Sequence, residues 1–183
     1  MRSLFAVMVL AVLVSTSTTF ADETEKAEKT QFSNPRVDFG IVVSDIDKAL
    51  KFYKEALGLN ERKGFEASAE MCEKAGLTDS LPLKIHVLQL GDGDAATRVK
   101  LMQTKTSPGK RADNRFINST YGVSYLTMYV KDIDAALARA KKHDVKPIAK
   151  GPVDLAGDGT GAFLAIVRDP DGNMIELVGP KAK

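Results

Sequence analysis

Val43-Ser44-Asp45-Ile46-Asp47-Lys48-Ala49-Leu50 and Val130-Lys131-Asp132-Ile133-Asp134-Ala135-Ala136-Leu137 are near copies of one another. Subtracting 45 from 132 places them 87 residues apart. In each copy an apolar, strand-like run precedes the aspartate, at 37–43 and at 123–130. Each aspartate stands at an N-cap position, where a carboxylate accepts from the first free amides of a helix. Helical spacing follows: Ile46, Leu50, Tyr53 and Leu57 in the first copy, Ile133, Leu137 and Ala140 in the second. Gly58 ends the first helix, and the second ends around His143-Asp144. The chain is therefore an internal repeat of a strand-helix unit.

Three strand candidates follow each helix. In the first half they are 62–67, 83–90 and 98–104, with a short helix at 68–77 ended by Gly76. The last two are joined by the turn-rich Gly91-Asp92-Gly93-Asp94. In the second half they are 145–149, 162–168 and 173–178, the last pair joined by Asp169-Pro170-Asp171-Gly172. Each half reads β-α-β-β-β. One such half leaves a sheet face uncovered, so two must combine. The expected fold is α+β: two tandem βαβββ modules forming a curved, cup-like mixed sheet with helices on the outer face. The modules are residues 35–104 and 122–180 of one domain, 35–180, joined by a polar linker at 105–121. That linker concentrates Lys105, Lys110, Arg111 and Arg115. It reads either as a solvated connector or as a flap placing a cation over an anionic ligand.

Upstream, Arg2 precedes an unbroken apolar run of 11 residues, 4–14, and Thr19-Phe20-Ala21 stands before the acidic Asp22-Glu23. This is the order of a secretory signal with a small-residue cut. The run is too short to span a bilayer as a helix. Residues 1–21 read as a signal peptide and the charged 22–34 as a flexible leader. The expected location is exported, periplasmic or secreted, with no membrane association after cleavage. Without Arg2 the chain carries 25 basic and 24 acidic side chains, so no strong field favours nucleic acid. Cys72 is the single cysteine, so no internal disulfide supports the fold and a buried thiol is expected.

Several stretches together resemble a known family. They are Val42-Val43-Ser44-Asp45-Ile46 with Phe52-Tyr53 and Leu57-Gly58-Leu59, then Tyr129-Val130-Lys131-Asp132-Ile133, then Arg168-Asp169-Pro170-Asp171-Gly172-Asn173-Met174-Ile175-Glu176-Leu177. Over about 36–179 the pattern is similar to the vicinal-oxygen-chelate superfamily, which includes glyoxalase I, epimerases, extradiol dioxygenases and bleomycin-binding proteins. The resemblance implies the fold more than the reaction, because one scaffold carries several chemistries. Metal-dependent members place one ligand on the first strand of each module, seven residues before the capping aspartate, and one on the fourth strand. By that resemblance the four positions here are Asp38, Lys100, Tyr125 and Glu176.

Those residue types decide the expectation about cofactors. A divalent cation prefers imidazoles and carboxylates. The Lys100 ammonium has no lone pair to give, and a phenol such as Tyr125 is a poor ligand. The reading is that Lys100 pairs with Glu176, Asp38 or both, and that no cofactor is bound. Alternation around Lys100 and Glu176 sends both toward the open side of the sheet if the helices cover Val99, Leu101, Ile175 and Leu177. His86 and His143 read as satisfied or surface histidines. The glycine-rich 155–161 reads as a loop, lacking the Gly-Lys-Ser/Thr of a phosphate cradle. The functional expectation is an exported, metal-independent protein binding a small molecule in the cup between the modules, as monomer or homodimer. The alternatives are a metal-dependent lyase, epimerase or dioxygenase, with lyase or isomerase chemistry if it is an enzyme, and a noncatalytic interaction domain.

Overall fold

The Asp45 carboxylate accepts from the Lys48 amide at 3.1 Å, and Asp132 accepts from Asp134 and Ala135 at 2.9 and 3.2 Å. Both copies of the repeat thus begin their helices as their sequence demands. The structure, a computed structural model, describes residues 31–104 and 109–182. The signal peptide, residues 22–30 of the leader and Lys105 of the linker lie outside the described residues. No described helix is long and apolar enough to cross a membrane.

Module 1 contains β1 (Asp38–Val42), α1 (Ile46–Leu50), β2 (Asn60–Ala67), α2 (Ala69–Lys74), β3 (Leu83–Gln89) and β4 (Arg98–Met102). Its sheet runs β1-β4-β3-β2, with β1 and β4 parallel and the other pairs antiparallel. Module 2 contains β5 (Tyr125–Tyr129), α3 (Ile133–Lys142), β6 (Val153–Asp154), β7 (Phe163–Arg168) and β8 (Met174–Gly179). Its sheet repeats the order as β5-β8-β7-β6, again with the first pair parallel. The α+β class and the paired modules are as the sequence implies. Strand pairing resolves the sheet into two four-stranded mixed sheets, one per module.

One difference from the sequence reading lies at 145–149, expected as a strand. The strand in that place is the two-residue β6 instead. Pro147 has no amide to donate to a ladder. Among the described residues only the Ile148 amide of this stretch bonds β7, donating to the Ile166 carbonyl at 2.9 Å. A second difference is that α1 continues as a π-helical turn, Lys51–Ala56. The wider turn, with the Leu57 amide bonded to the Phe52 carbonyl at 3.0 Å, buries the consecutive Phe52 and Tyr53 together.

One continuous core runs under the helices of both modules. It joins Leu88, Val99 and Leu101 of the first sheet to Met128, Val167, Ile175 and Leu177 of the second, with Tyr53 and Ile133 from the helices. Fully burying a side chain of this size contributes about 1.5–3 kcal/mol, and a second cluster on the opposite face of the first sheet seats Cys72 of α2 with Leu83, Ile85 and Val87. The modules are also tied by polar bonds. The buried Asp169 carboxylate accepts from the Tyr53 hydroxyl at 3.0 Å, from the Asp171 and Asn173 amides at 2.9 and 2.8 Å, and from the Asn173 side chain at 2.8 Å. Burial pushes the Tyr53 hydroxyl above its ordinary pKa, and the charge of Asp169 pushes the same way. Arg139 of α3 donates to the Ala56 and Leu57 carbonyls at 3.1 and 2.7 Å, satisfying the end of the other module's helix.

Candidate functional site

The strand faces opposite α1 and α3 carry the chemistry, and they differ between the modules; α2 covers part of the first, its Cys72 packed with Leu83, Ile85 and Val87. In the first sheet the open face presents Asp38 from β1, Arg98 and Lys100 from β4, Val87 and Gln89 from β3, and Arg62 and Phe65 from β2. These residues, with Arg36 and Lys63, line a cavity of about 500 Å³. Asp38 stands opposite Arg98, and Lys100 opposite Gly40 and Val87. The Lys100 ammonium lies 2.9 Å from Asp38 Oδ2. Arg36 Nε lies 2.9 Å from Oδ1, yet outside the geometry of a hydrogen bond, so that oxygen has no hydrogen-bond partner. Burial pushes the Asp38 carboxyl up. The hydrogen bond and charge of Lys100, with the charges of Arg36 and Arg98, outweigh it and hold the carboxyl below its ordinary value.

A bulge aims the β2 residues. Register slips between Arg62, which faces Val87, and Phe65, which faces Ile85. In a regular strand Arg62 and Lys63 would point to opposite faces. The extra residue lets both line the cavity, and bulges commonly re-aim side chains in this way. Gly64 makes it possible: a Cβ there would stand 2.3 Å from the Ile85 carbonyl oxygen. Beside the cavity, the buried Gln89 amide donates to the Gly91 and Gly93 carbonyls at 3.1 Å each and fixes the β3–β4 turn.

On the second sheet Glu176 of β8 faces Thr127 of β5 and Ile166 of β7. The Thr127 hydroxyl donates to Glu176 Oε2 at 2.6 Å. The same face carries Tyr125 and Tyr129, which are 46% and 78% exposed. Tyr125 lines a different cavity of about 290 Å³, at the seam between β1 and β5. Of the four positions implied by the resemblance, the structure therefore joins Asp38 to Lys100. It sets Tyr125 at the seam and couples Glu176 to Thr127. The ion pair of Lys100 is with Asp38; none with Glu176 occurs among the described residues.

Other residues fall where the sequence suggested. His86 lies on the helix-facing side of β3, its Nδ1 3.6 Å from Glu61. His143 ends α3 with its Nδ1 3.3 Å from Glu55. Cys72 is fully buried and unpaired. Residues 155–161 form the loop between β6 and β7. In the linker, Arg111 Nη2 lies 3.4 Å from Asp171 and Arg115 Nη2 lies 2.9 Å from Asp113, so these cations serve nearby carboxylates.

A divalent ion finds a poor set of donors. Among the described residues no three His, Cys, Asp or Glu side chains group as metal ligands. Asp38 is engaged by Lys100 and Glu176 by Thr127. Sequence reasoning had not singled out Arg36, Arg62, Lys63 or Arg98. Arg98 was readable, since Arg98-Val99-Lys100 puts both cations on one face. The pair at 62 and 63 depends on the bulge, for which Gly64 is the only sign.

Comparison with known proteins agrees with this architecture. The family model of the Glyoxalase/Bleomycin resistance protein/Dioxygenase superfamily matches residues 36–177. The virulence protein STM3117 of Salmonella typhimurium is 29% identical over 152 residues, covering 82% of this chain and 88% of that protein. A glyoxalase family protein from Bacillus cereus superposes with a TM-score of 0.65 at 24% identity, over 84% of this chain and 98% of that one. A glyoxalase family protein from Enterococcus faecalis gives a TM-score of 0.52 at 20% identity, over 78% and 94%. At these identities the two solved structures speak to the fold alone.

Proposed function

Because the chain belongs to the Glyoxalase/Bleomycin resistance protein/Dioxygenase superfamily, we propose that it is an exported small-molecule binding protein that works without a metal ion. The observation carrying this reading is the 2.9 Å contact between Lys100 and Asp38. At about 4 Å and an effective dielectric of 20, a divalent ion meets roughly 8 kcal/mol of repulsion from an ammonium, twice the figure for two unit charges. That cancels what one carboxylate at the same distance supplies. Glu176 is then the remaining anionic donor of the four positions, and a single carboxylate does not hold a metal. The open faces of the two modules form the cup for the ligand. The cavity over the first sheet, about 500 Å³, is of a size that takes a metabolite.

Titration of the purified protein with nickel, zinc, manganese and iron(II), read by calorimetry, tests the metal-free reading. The expected result is no tight one-to-one binding. Tight binding lost in Glu176→Ala would overturn it and bring metal-dependent lyase, epimerase or dioxygenase chemistry forward. Export is supported by the Arg2, apolar-run and Thr19-Phe20-Ala21 pattern. Mass spectrometry of the protein from a secreting host should find a chain beginning near Asp22; an uncut chain in the cytoplasm would contradict it.

A further inference from the structure

We infer that the ligand of the cavity over the first sheet is a small oxyanion, a carboxylate or a phosphate. The inference rests on the reading that this cavity binds a small molecule, and it names the class. Five cations line the cavity, Arg36, Arg62, Lys63, Arg98 and Lys100, against two carboxylates, Asp38 and Asp94. Arg36 and Lys100 are committed to Asp38. Arg62, Lys63 and Arg98 form no ion pair among the described residues, so the uncommitted charge of the wall is positive. Cationic walls concentrate anions, and a guanidinium presents donors in the plane that carboxylate and phosphate oxygens occupy.

A second observation concerns how Arg98 is held. Among the described residues two buried side-chain atoms lack a hydrogen-bond partner: Arg98 Nε, a donor, and Asp38 Oδ1, an acceptor. Both belong to the wall of this one cavity, on residues that face each other across the parallel β1–β4 pair. Buried polar atoms in folded proteins are almost always satisfied, and here Arg98 is held beside Asp38 by charge and not by a hydrogen bond. Asp38 Oδ1 already holds Arg36 Nε at 2.9 Å and Arg98 Nε faces inward, so the outer end of the Arg98 guanidinium is what this wall offers an oxyanion. The β2 bulge independently brings Lys63 to the same side as Arg62, which places two exposed cations at the rim.

The experiment measures binding of four probes at constant ionic strength: inorganic phosphate, succinate, malate and a neutral polyol, erythritol. Succinate and malate are carboxylates, and phosphate separates the two oxyanion types. The inference expects phosphate, succinate or malate to bind and erythritol not to bind at all. Arg98→Gln should weaken the bound anion by about tenfold or more. The exposed Arg62→Gln, which leaves the buried wall intact, should weaken it severalfold and serves where Arg98→Gln folds poorly. Binding of erythritol with no anion bound would overturn the oxyanion class while leaving a small-molecule cavity. Failure of all four probes, or anion binding unchanged in both arginine variants, would overturn the inference. Tight nickel binding in the separate metal titration would defeat the metal-free reading and leave these arginine effects in place.

Discussion

The two modules share a backbone plan down to its register, yet their open faces are chemical opposites. Asp38 and Tyr125 occupy equivalent places on β1 and β5, as do Lys100 and Glu176 on β4 and β8. The helix-facing positions between them are alike: Val99 and Leu101 in one module, Ile175 and Leu177 in the other, each no more than 2% exposed. The first open face has three uncommitted cations around one carboxylate, with an eight-residue β2 walling it in. The second has two exposed tyrosines around a threonine-bound carboxylate, and its counterpart strand is two residues long. The contrast teaches where each constraint acts. Burial of the apolar positions, the cluster under α2 on the first sheet included, fixes the fold and tolerates little change, while the charged positions of the open faces are free to diverge.

The largest effect should come from breaking the link between the modules. Asp169 lies in the β7–β8 turn but receives the Tyr53 hydroxyl from the first module. Asp169→Ala leaves its four donors without their acceptor, three of them from its own turn. A loss of about 3–4 kcal/mol is expected in urea denaturation. Tyr53→Phe removes one of those bonds and keeps the aromatic packing, so about 1 kcal/mol is expected. Equal losses would mean the turn's own bonds matter less than the bridge. Next in size are two glycines, one per module. An added Cβ would meet the Ile85 carbonyl oxygen at 2.3 Å from Gly64 and the Val130 carbonyl oxygen at 2.2 Å from Gly179. Each change to alanine should cost about 2–3 kcal/mol through forced backbone movement. The asymmetry appears in binding: Gly64→Ala should also weaken phosphate or malate by disturbing the bulge, while Gly179→Ala should not.

Much of this architecture is legible in the chain. The repeated Asp45 and Asp132 set the module boundaries, because a capping carboxylate followed by helical spacing is a local signal. Asp169-Pro170-Asp171-Gly172 announces its turn, though its bonds to Tyr53 and Ser44 come from residues 116 and 127 positions away. Strand 145–149 was misread because its apolar pattern suits a strand while Pro147 denies it a ladder bond. At the site, alternation puts Lys100 on the open face, and resemblance adds Asp38, Tyr125 and Glu176. Alternation fails for Arg62 and Lys63, since a bulge is a property of the pair of strands and not of one. The choice of Asp38 as the partner of Lys100 likewise depends on three-dimensional reach.

The Asp38 ion pair gives a smaller and pH-dependent test of the first face. Asp38→Asn should cost about 1 kcal/mol at neutral pH, the net value of one hydrogen bond in a partly solvated setting. The Asp38 carboxyl is held below its ordinary value, near 3.8. Its contribution is therefore present above the unfolded value and lost as pH falls through the folded one. The stability gap between the natural protein and Asp38→Asn, followed by urea denaturation, should narrow below about pH 4 and close in stronger acid. A gap that widened in acid would mean the carboxyl is held above its ordinary value, and the cations would then not govern that face.

The smallest effect, and the sharpest separation of the modules, belongs to Arg111. Its guanidinium lies 3.4 Å from Asp171 and from the Pro170 carbonyl oxygen, and its side chain is 66% exposed. It therefore serves the second module's turn, and solvent screens what remains of its charge. Arg111→Glu should change stability by no more than about 0.5 kcal/mol. It should leave phosphate or malate affinity within about twofold, because Arg111 does not line that cavity and solvent screens its charge. Arg62→Glu, reversing a charge at the rim of the first module's cavity, should lower the same affinity by about tenfold or more. Calorimetry at fixed ionic strength distinguishes them. Similar losses in both variants would place the linker over the cavity as a cationic flap, and anion recognition would then be shared between the linker and the first sheet.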